Sequence, residues 1–177
     1  MDIIHVSPPI RVEVGPGMRP EPGYDFWCDL HKTSYANVQC HMEALPFVDA
    51  VASDLRAYEV LEHQSYLLVL PTLMEWFRVL QPAGRLHLKV PNARHYIELY
   101  MRGQIQMEDL NRLIMGGHTD QEVFRGYDDE KDVPRWLWNA HHVLFDTHNL
   151  SSLIALAGFV IDSYEASTHI TLEAHKP

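Results

Sequence analysis

Residues 71–92 read PTLMEWFRVLQPAGRLHLKVPN, and this stretch predicts a helix followed by a strand. Apolar residues recur at helical spacing over 71–80, and Pro71 suits the first turn of a helix. Pro82 and Gly84 are expected to end that helix. Residues 85–90 then alternate apolar and polar side chains, as a strand does. A helix that leads directly into a strand indicates an α/β fold.

The rest of the chain continues this alternation. Further strands are predicted at 10–14, 24–30, 37–40, 54–58, 159–164 and 169–173, and helical segments at 93–115 and 151–157. Pro20, Pro22 and Gly23 leave no room for a full helix between the first two strands. These elements predict an α/β sandwich with a mostly parallel sheet and a closing pair of strands.

Length and composition limit the classes of protein to which this chain can belong. Its 177 residues suit one domain, 1–177, with a polar, glycine-punctuated excursion or lid at about 116–138. Fourteen basic residues against 24 acidic ones give a net charge of −10, which disfavours nucleic acid as a partner. No apolar run reaches the roughly 18–20 residues of a membrane span, and no signal peptide is apparent. We therefore expect a cytoplasmic protein without a membrane span.

The cysteines and histidines do not indicate a metal site. Cys28 and Cys40 lack the CxxC spacing of a zinc knuckle, so they are interpreted as buried free thiols. The chain has twelve histidines. Its densest histidine group comprises His141, His142, His148 and Asp146. This group lacks the helical HExxH pattern, and the sequence predicts no metal site.

In sheets of this kind, ligands bind beyond the carboxyl ends of the strands. The segments that follow the predicted strands are 15–17, Asp29, 41–43, 58–59 and 91–92. The two glycines of VEVGPG permit a tight turn and a close approach of ligand to backbone. They are expected to touch little of the core. The sequence therefore predicts a binding site at this edge of the sheet.

Five blocks of sequence together resemble one enzyme family. They are EVGPG at 13–17, LPFVD at 45–49, VLEH at 60–63, EWFRVLQPAGRL at 75–86, and HHVLFD with AGF at 141–146 and 157–159. In this order and spacing they are similar to the class I S-adenosylmethionine-dependent methyltransferases, in the small branch called type 11. The resemblance implies a Rossmann-like sandwich with an antiparallel last strand, and S-adenosylmethionine as the cofactor.

The resemblance also implies a set of cofactor-binding residues. They are Glu13, Gly15, Gly17, Asp29, His41, Met42 and Tyr58. In the family the glycine loop meets the methionine part of the cofactor, and the acid in the position of Asp29 accepts both ribose hydroxyls. His41 stands where the family usually has an aspartate for the adenine amino group, and Met42 would lie beside the adenine. His63, within VLEH, is interpreted as a capping or packing residue.

Methyl transfer requires a nucleophile held in line with the methyl group and shielded from water. For a hydroxyl acceptor a general base helps, and the candidates are His141, at a recurrent histidine position of the family, and Glu59, directly after the fourth strand. His141 is equally open to a structural interpretation. The expected acceptor is a small molecule or a sugar-containing compound. The alternative is a degenerate relative that keeps the fold as a binding or scaffold protein.

Overall fold

A seven-stranded sheet forms the centre of the computed structural model, which describes residues 3–17, 19–31, 35–116 and 139–177. In chain order its strands are β1 (Ile10–Val14), β2 (Phe26–Asp29), β3 (Val38–Gln39), β4 (Ala52–Tyr58), β5 (Leu80–Pro91), β6 (Val160–Ala166) and β7 (His169–His175). Their spatial order is β3-β2-β1-β4-β5-β7-β6. Strands β1 to β5 are parallel, whereas β7 is antiparallel to both β5 and β6. The predicted fold class, with an antiparallel last strand, is confirmed.

Four α-helices lie in the described ranges: α1 (Val69–Val79), α2 (Ala93–Met101), α3 (Met107–Met115) and α4 (Thr147–Leu156). The region predicted as one helical segment, 93–115, is two helices, because Gly103 adopts a φ of 67° just after α2. The described residues between β1 and β2, which are 15–17 and 19–25, contain no helix, as the prolines there predict. The predicted excursion at 116–138 lies, apart from Gly116, outside the described residues. None of the helices described is long and apolar enough to cross a membrane.

The junction between α1 and β5 differs from its prediction. The helix ends at Val79, and Leu80 already belongs to the strand, two residues before Pro82 and four before Gly84. Leu80 pairs with Ala52 of β4, and the Val79 carbonyl accepts a hydrogen bond of 2.9 Å from the Val51 amide. Pairing with the neighbouring strand therefore ends the helix earlier than the helix-breaking residues would.

The core lies between the sheet and helices α1 and α4. The indole of Trp76 is fully buried, and its Nε1 donates to the Met42 carbonyl at 2.9 Å. Leu150 and Ile154 of α4 are also fully buried. Burial of such side chains stabilises the fold by about 1.5–3 kcal/mol each. The two cysteines are free and buried, as predicted.

A chain of polar side chains crosses the sheet on β4, β5 and β7. His87 Nε2 contacts Asp54 Oδ2 at 3.0 Å, and His87 Nδ1 contacts the Glu173 carboxylate. Asp54 also accepts from the Tyr24 hydroxyl at 2.6 Å. The hydrogen bond to Asp54 raises the pKa of His87, outweighing its burial, and Glu173 raises it further. The imidazolium is thus stabilised between two carboxylates.

This arrangement predicts a pH-dependent stability. Because the folded pKa of His87 lies above the usual value of about 6.5, its contribution is complete below that pH and is lost as pH rises through the folded pKa. We expect His87→Gln to lower the unfolding free energy by on the order of 1.5 kcal/mol at mildly acidic pH, and by less at alkaline pH. Urea titrations of both proteins across this range measure the difference. An equal loss at every pH would contradict the prediction.

Candidate functional site

The segments predicted to bind ligand share one edge of the sheet, because β1 to β5 run parallel. Gly15 follows β1, Asp29 ends β2, His41 follows β3 and Glu59 follows β4. The Gly15 amide donates to the Cys28 carbonyl at 2.8 Å, which fixes the first loop against β2. The segments that follow these strands therefore lie along one edge of the sheet, and we call residues 15–17, Asp29, His41, Met42 and Tyr58 the rim.

The two glycines of the first loop have different surroundings. Gly15 adopts a φ of +66°, and a Cβ there would lie 2.3 Å from Cγ2 of Val60. The expectation that Gly15 touches little of the core is wrong, since Val60 belongs to the core cluster. Gly17 also has a positive φ, +55°, but a Cβ on it would meet nothing within 4 Å among the described atoms. Gly15 is therefore required for packing, whereas the described surroundings of Gly17 are open.

Glu13 lies beneath this loop. It is 1% exposed, and its Oε2 accepts a hydrogen bond of 2.7 Å from the Glu21 amide. Its Oε1 forms an ion pair with Arg56, whose guanidinium lies 3.8 Å from the ring centre of Tyr58. Glu13 therefore anchors the segment after the glycine loop and connects it to the end of β4.

The residues expected around the ribose and adenine are more exposed. Asp29 is partly buried, and its Oδ1 accepts from the His31 amide at 2.9 Å. The His41 side chain is 61% exposed and lies 3.5 Å from the Glu43 carboxylate. Met42 packs against the core. The structure thus places Asp29 and Met42 on the rim with local support, whereas His41 extends towards solvent.

Glu59 is tied to its neighbours. It has a φ of 54°, and its amide donates to the Lys89 carbonyl at 2.8 Å. Its carboxylate pairs with Lys89 and lies 3.6 Å from His169 Nε2. Burial by itself raises the pKa of Glu59, but the Lys89 hydrogen bond and the nearby positive charges lower it overall. An ion-paired carboxylate with a lowered pKa is a weak proton acceptor.

His141 is partly buried at the start of the segment that leads to α4. Its Nδ1 contacts the Ile114 carbonyl at 3.0 Å, and its amide donates to the Met115 carbonyl at 2.7 Å. Burial, together with the nearby His63, lowers the pKa of His141. A carbonyl only accepts hydrogen bonds, so Nδ1 carries the proton and Nε2 of the neutral ring keeps its lone pair.

Beside His141 lie His63, which the sequence suggested only as a capping or packing residue, and Glu62, which it did not single out. The ring centres of His63 and His141 are 5.1 Å apart, and His63 Nδ1 contacts the Ala140 carbonyl at 3.1 Å. Glu62 is 1% exposed, and burial raises its pKa to about 8. Its Oε2 has no hydrogen-bond partner among the described residues. One ligand atom from each of Glu62, His63 and His141 lies within 4.8 Å of the others.

Backbone pairing brings these distant segments together. The Glu62 carbonyl accepts hydrogen bonds from the amides of His142 at 2.8 Å and Val143 at 3.3 Å. The Glu-His pair in VLEH is the one sequence signal for this cluster, and nothing in its spacing points to His141. The histidine group noted in the sequence differs from the cluster in the structure. His141 belongs to both, but His142 and His148 are exposed and lie outside the cluster.

Comparisons with known proteins identify solved structures that share this fold. No family model and no curated protein matches the sequence. A S-adenosylmethionine-dependent methyltransferase from Methanosarcina mazei matches with a TM-score of 0.60 and 14% identity, over 99% of both chains. One from Mesorhizobium loti matches with a TM-score of 0.58 and 10% identity, over 96% of this chain and 92% of that one.

A third solved structure is the 1,6-didemethyltoxoflavin-N1-methyltransferase from Burkholderia thailandensis, bound to 1,6-didemethyltoxoflavin and S-adenosylhomocysteine. It matches with a TM-score of 0.58 and 15% identity, over 96% of this chain and 72% of that one. The likeness extends over nearly the whole chain in each case. Together with the strand order, it shows that this chain has the Rossmann-like fold of the class I S-adenosylmethionine-dependent methyltransferases.

Proposed function

We propose that this chain is a S-adenosylmethionine-dependent methyltransferase that acts on a small-molecule or sugar-containing acceptor. The observation that carries the proposal is the rim formed by the glycine loop after β1 and Asp29 at the end of the adjacent β2. Open space next to Gly17 fits a ligand that approaches the backbone closely. Two solved structures of the same fold are methyltransferases that use this cofactor.

In this proposal each rim residue contacts a different part of the cofactor. Gly17 and the loop supported by Glu13 receive the methionine part, and Asp29 accepts hydrogen bonds from the ribose hydroxyls. Met42 and His41 lie on the adenine side, and Tyr58 closes the end of β4. The cofactor supplies a methyl group on a positively charged sulfur, so the protein needs no covalent intermediate. The task of the protein is to position the acceptor and to exclude water.

On the acceptor side we assign the principal role to His141. Its ring keeps a lone pair on Nε2, which can accept a hydrogen bond or a proton from an acceptor hydroxyl. Glu59, the other candidate, is held in an ion pair with Lys89. We therefore propose that Glu59 positions Lys89 and the end of β4 and does not take up the proton.

A small acceptor is supported by two observations. The net charge of −10 disfavours a nucleic-acid substrate. The Burkholderia thailandensis enzyme of the same fold holds a small heterocyclic compound. A scaffold protein without turnover is the second candidate, favoured by the exposure of His41 at the expected adenine position.

Calorimetry with S-adenosylmethionine and S-adenosylhomocysteine tests the proposal. We expect both to bind, and Asp29→Ala to weaken binding roughly 10–100-fold, because hydrogen bonds to a charged group contribute ~1.5–3 kcal/mol. Asp49→Ala is the matched control, since Asp49 is 79% exposed and pairs with Arg78. No binding at millimolar cofactor would overturn the enzyme assignment. Equal losses in the two variants would remove Asp29 from the site.

A further inference from the structure

We propose that Glu62, His63 and His141 form a binding site for a divalent transition-metal ion of the zinc type. The three side chains each offer a ligand atom within 4.8 Å of the other two. They come from the short helical turn at Leu61–His63 and from the segment before α4. The backbone bonds between Glu62 and the 142–143 segment hold these two parts of the chain together. The cluster is therefore built into the fold and not formed by chance contact of surface side chains.

The histidines have the hydrogen bonds that metal ligands usually have. In metal sites, a ligating histidine almost always donates its second ring N–H to a carboxylate, a carbonyl or water. Nδ1 of His63 contacts the Ala140 carbonyl, and Nδ1 of His141 contacts the Ile114 carbonyl. Because a carbonyl requires a donor, both neutral rings present the Nε2 lone pair for ligation.

The buried carboxylate of Glu62 provides the second, independent observation. Its Oε2 is buried and has no hydrogen-bond partner among the described residues. An unpaired polar atom in such a position destabilises the fold, and a charged one does so more strongly. The positive charge of Lys89 lowers the pKa of Glu62, against the effect of burial, but Lys89 does not hydrogen-bond to Oε2, whereas a metal ion at the centre of the cluster would pair with it. This buried, unpaired carboxylate oxygen thus has the environment of a metal ligand.

The donor set selects the class of metal. Mg²⁺ and Ca²⁺ prefer sites made of oxygen ligands, whereas two imidazoles with one carboxylate suit Zn²⁺ and its transition-metal neighbours. Three protein ligands leave at least one coordination position for water or another molecule, which is typical of zinc sites that take part in chemistry.

If the chain is the proposed methyltransferase, the position of the cluster gives the metal ion a role in deprotonating the acceptor. The turn Leu61–His63 follows β4 after two residues, Glu59 and Val60, and Val60 packs on the glycine loop. A hydroxyl bound to a zinc-type ion loses its proton more readily than a free one. The metal would then replace His141 as the group that promotes deprotonation, because one nitrogen lone pair cannot hold a metal and accept a proton.

Metal binding is measured without any methyl acceptor. Purified protein, stripped with a chelator, is titrated with Zn²⁺ against a chromogenic competitor, and with Co²⁺ by visible absorption. We expect one tight site, unaffected by millimolar Mg²⁺, and a Co²⁺ spectrum without sulfur charge-transfer bands, which excludes the Cys28 and Cys40 thiols. Glu62→Gln, His63→Gln and His141→Gln should each weaken Zn²⁺ binding 10²-fold or more. His148→Gln is the matched control, because His148 is exposed on α4, and it should bind like the wild type.

The outcomes separate this site from adventitious binding. Wild-type affinity in folded His63→Gln and His141→Gln proteins would overturn the proposal, as would an equal loss in His148→Gln. If Glu62→Gln fails to fold, the two histidine variants decide. Calorimetry with S-adenosylmethionine on the same samples tests the proposed function separately. Failure to bind Zn²⁺ and failure to bind the cofactor are therefore distinguished.

Discussion

His141→Asn is expected to lower turnover by roughly 10² to 10⁴ fold while leaving the affinity for S-adenosylmethionine nearly unchanged. This is the usual effect of removing a positioned base, and a loss is also expected if His141 instead holds the metal ion that promotes deprotonation. The effect should fall on the acceptor side because His141 belongs to the cluster with His63 and not to the rim of Gly17 and Asp29. Acceptors are first identified by incorporation of labelled methyl. Turnover is then measured as S-adenosylhomocysteine release, and affinity by calorimetry.

The control for this variant is His142→Asn, which changes the exposed neighbour in sequence. It should retain both turnover and affinity. A merely structural His141, packed between Ile114 and Gly116, would give a different result. In that case the variant would melt at a lower temperature, and the rate per folded molecule would stay close to the wild-type rate.

Gly15→Val should destabilise the whole protein rather than act on cofactor binding alone. A left-handed backbone costs a non-glycine residue about 1–2 kcal/mol, and overpacking costs about 1–3 kcal/mol more, which together predict a loss of roughly 2–5 kcal/mol. The added Cβ would lie 2.6 Å from the Cβ of Val60, so rotation of the Val60 side chain cannot relieve the contact. Urea unfolding measures the loss.

Gly17→Ala provides the comparison at the other end of the loop. Its backbone is also left-handed, but its surroundings are open in the described structure, so we expect a loss of only about 1–2 kcal/mol. In the same variant, S-adenosylmethionine affinity should fall, because the methyl group occupies the space left for the ligand. Equal stability losses in the two variants would show that the contact with Val60 does not limit substitution at Gly15.

Local sequence was sufficient for the order of elements and for bringing the candidate site residues to one edge of the sheet. Pro20, Pro22 and Gly23 exclude a helix between β1 and β2 through their own backbone restrictions, and the described part of that segment has none. The alternation over 85–90 predicts a strand in the same way. These features depend on neighbours in the chain, so a sequence pattern is enough to find them.

Tertiary structure alone decided the length of β5 and the role of Gly15. Leu80 leaves the helical pattern because Ala52 on β4 pairs with it, and Gly15 is required because Val60 packs against it. Both partners are distant in sequence. Hydrophobic pattern and turn chemistry carry no information about which distant residue will occupy a neighbouring position.

The cluster of Glu62, His63 and His141 shows most clearly the difference between what the sequence determined and what the tertiary structure decided. The sequence shows a Glu-His pair and, far along the chain, a histidine that matches a recurrent family position. It does not show that the contact between His63 and Ala140 closes a separation of 77 residues. That contact follows from the backbone bonds between Glu62 and the 142–143 segment. The residue types were determined by the sequence, but their convergence on one buried carboxylate was decided by the packing of the segment before α4 against the end of β4.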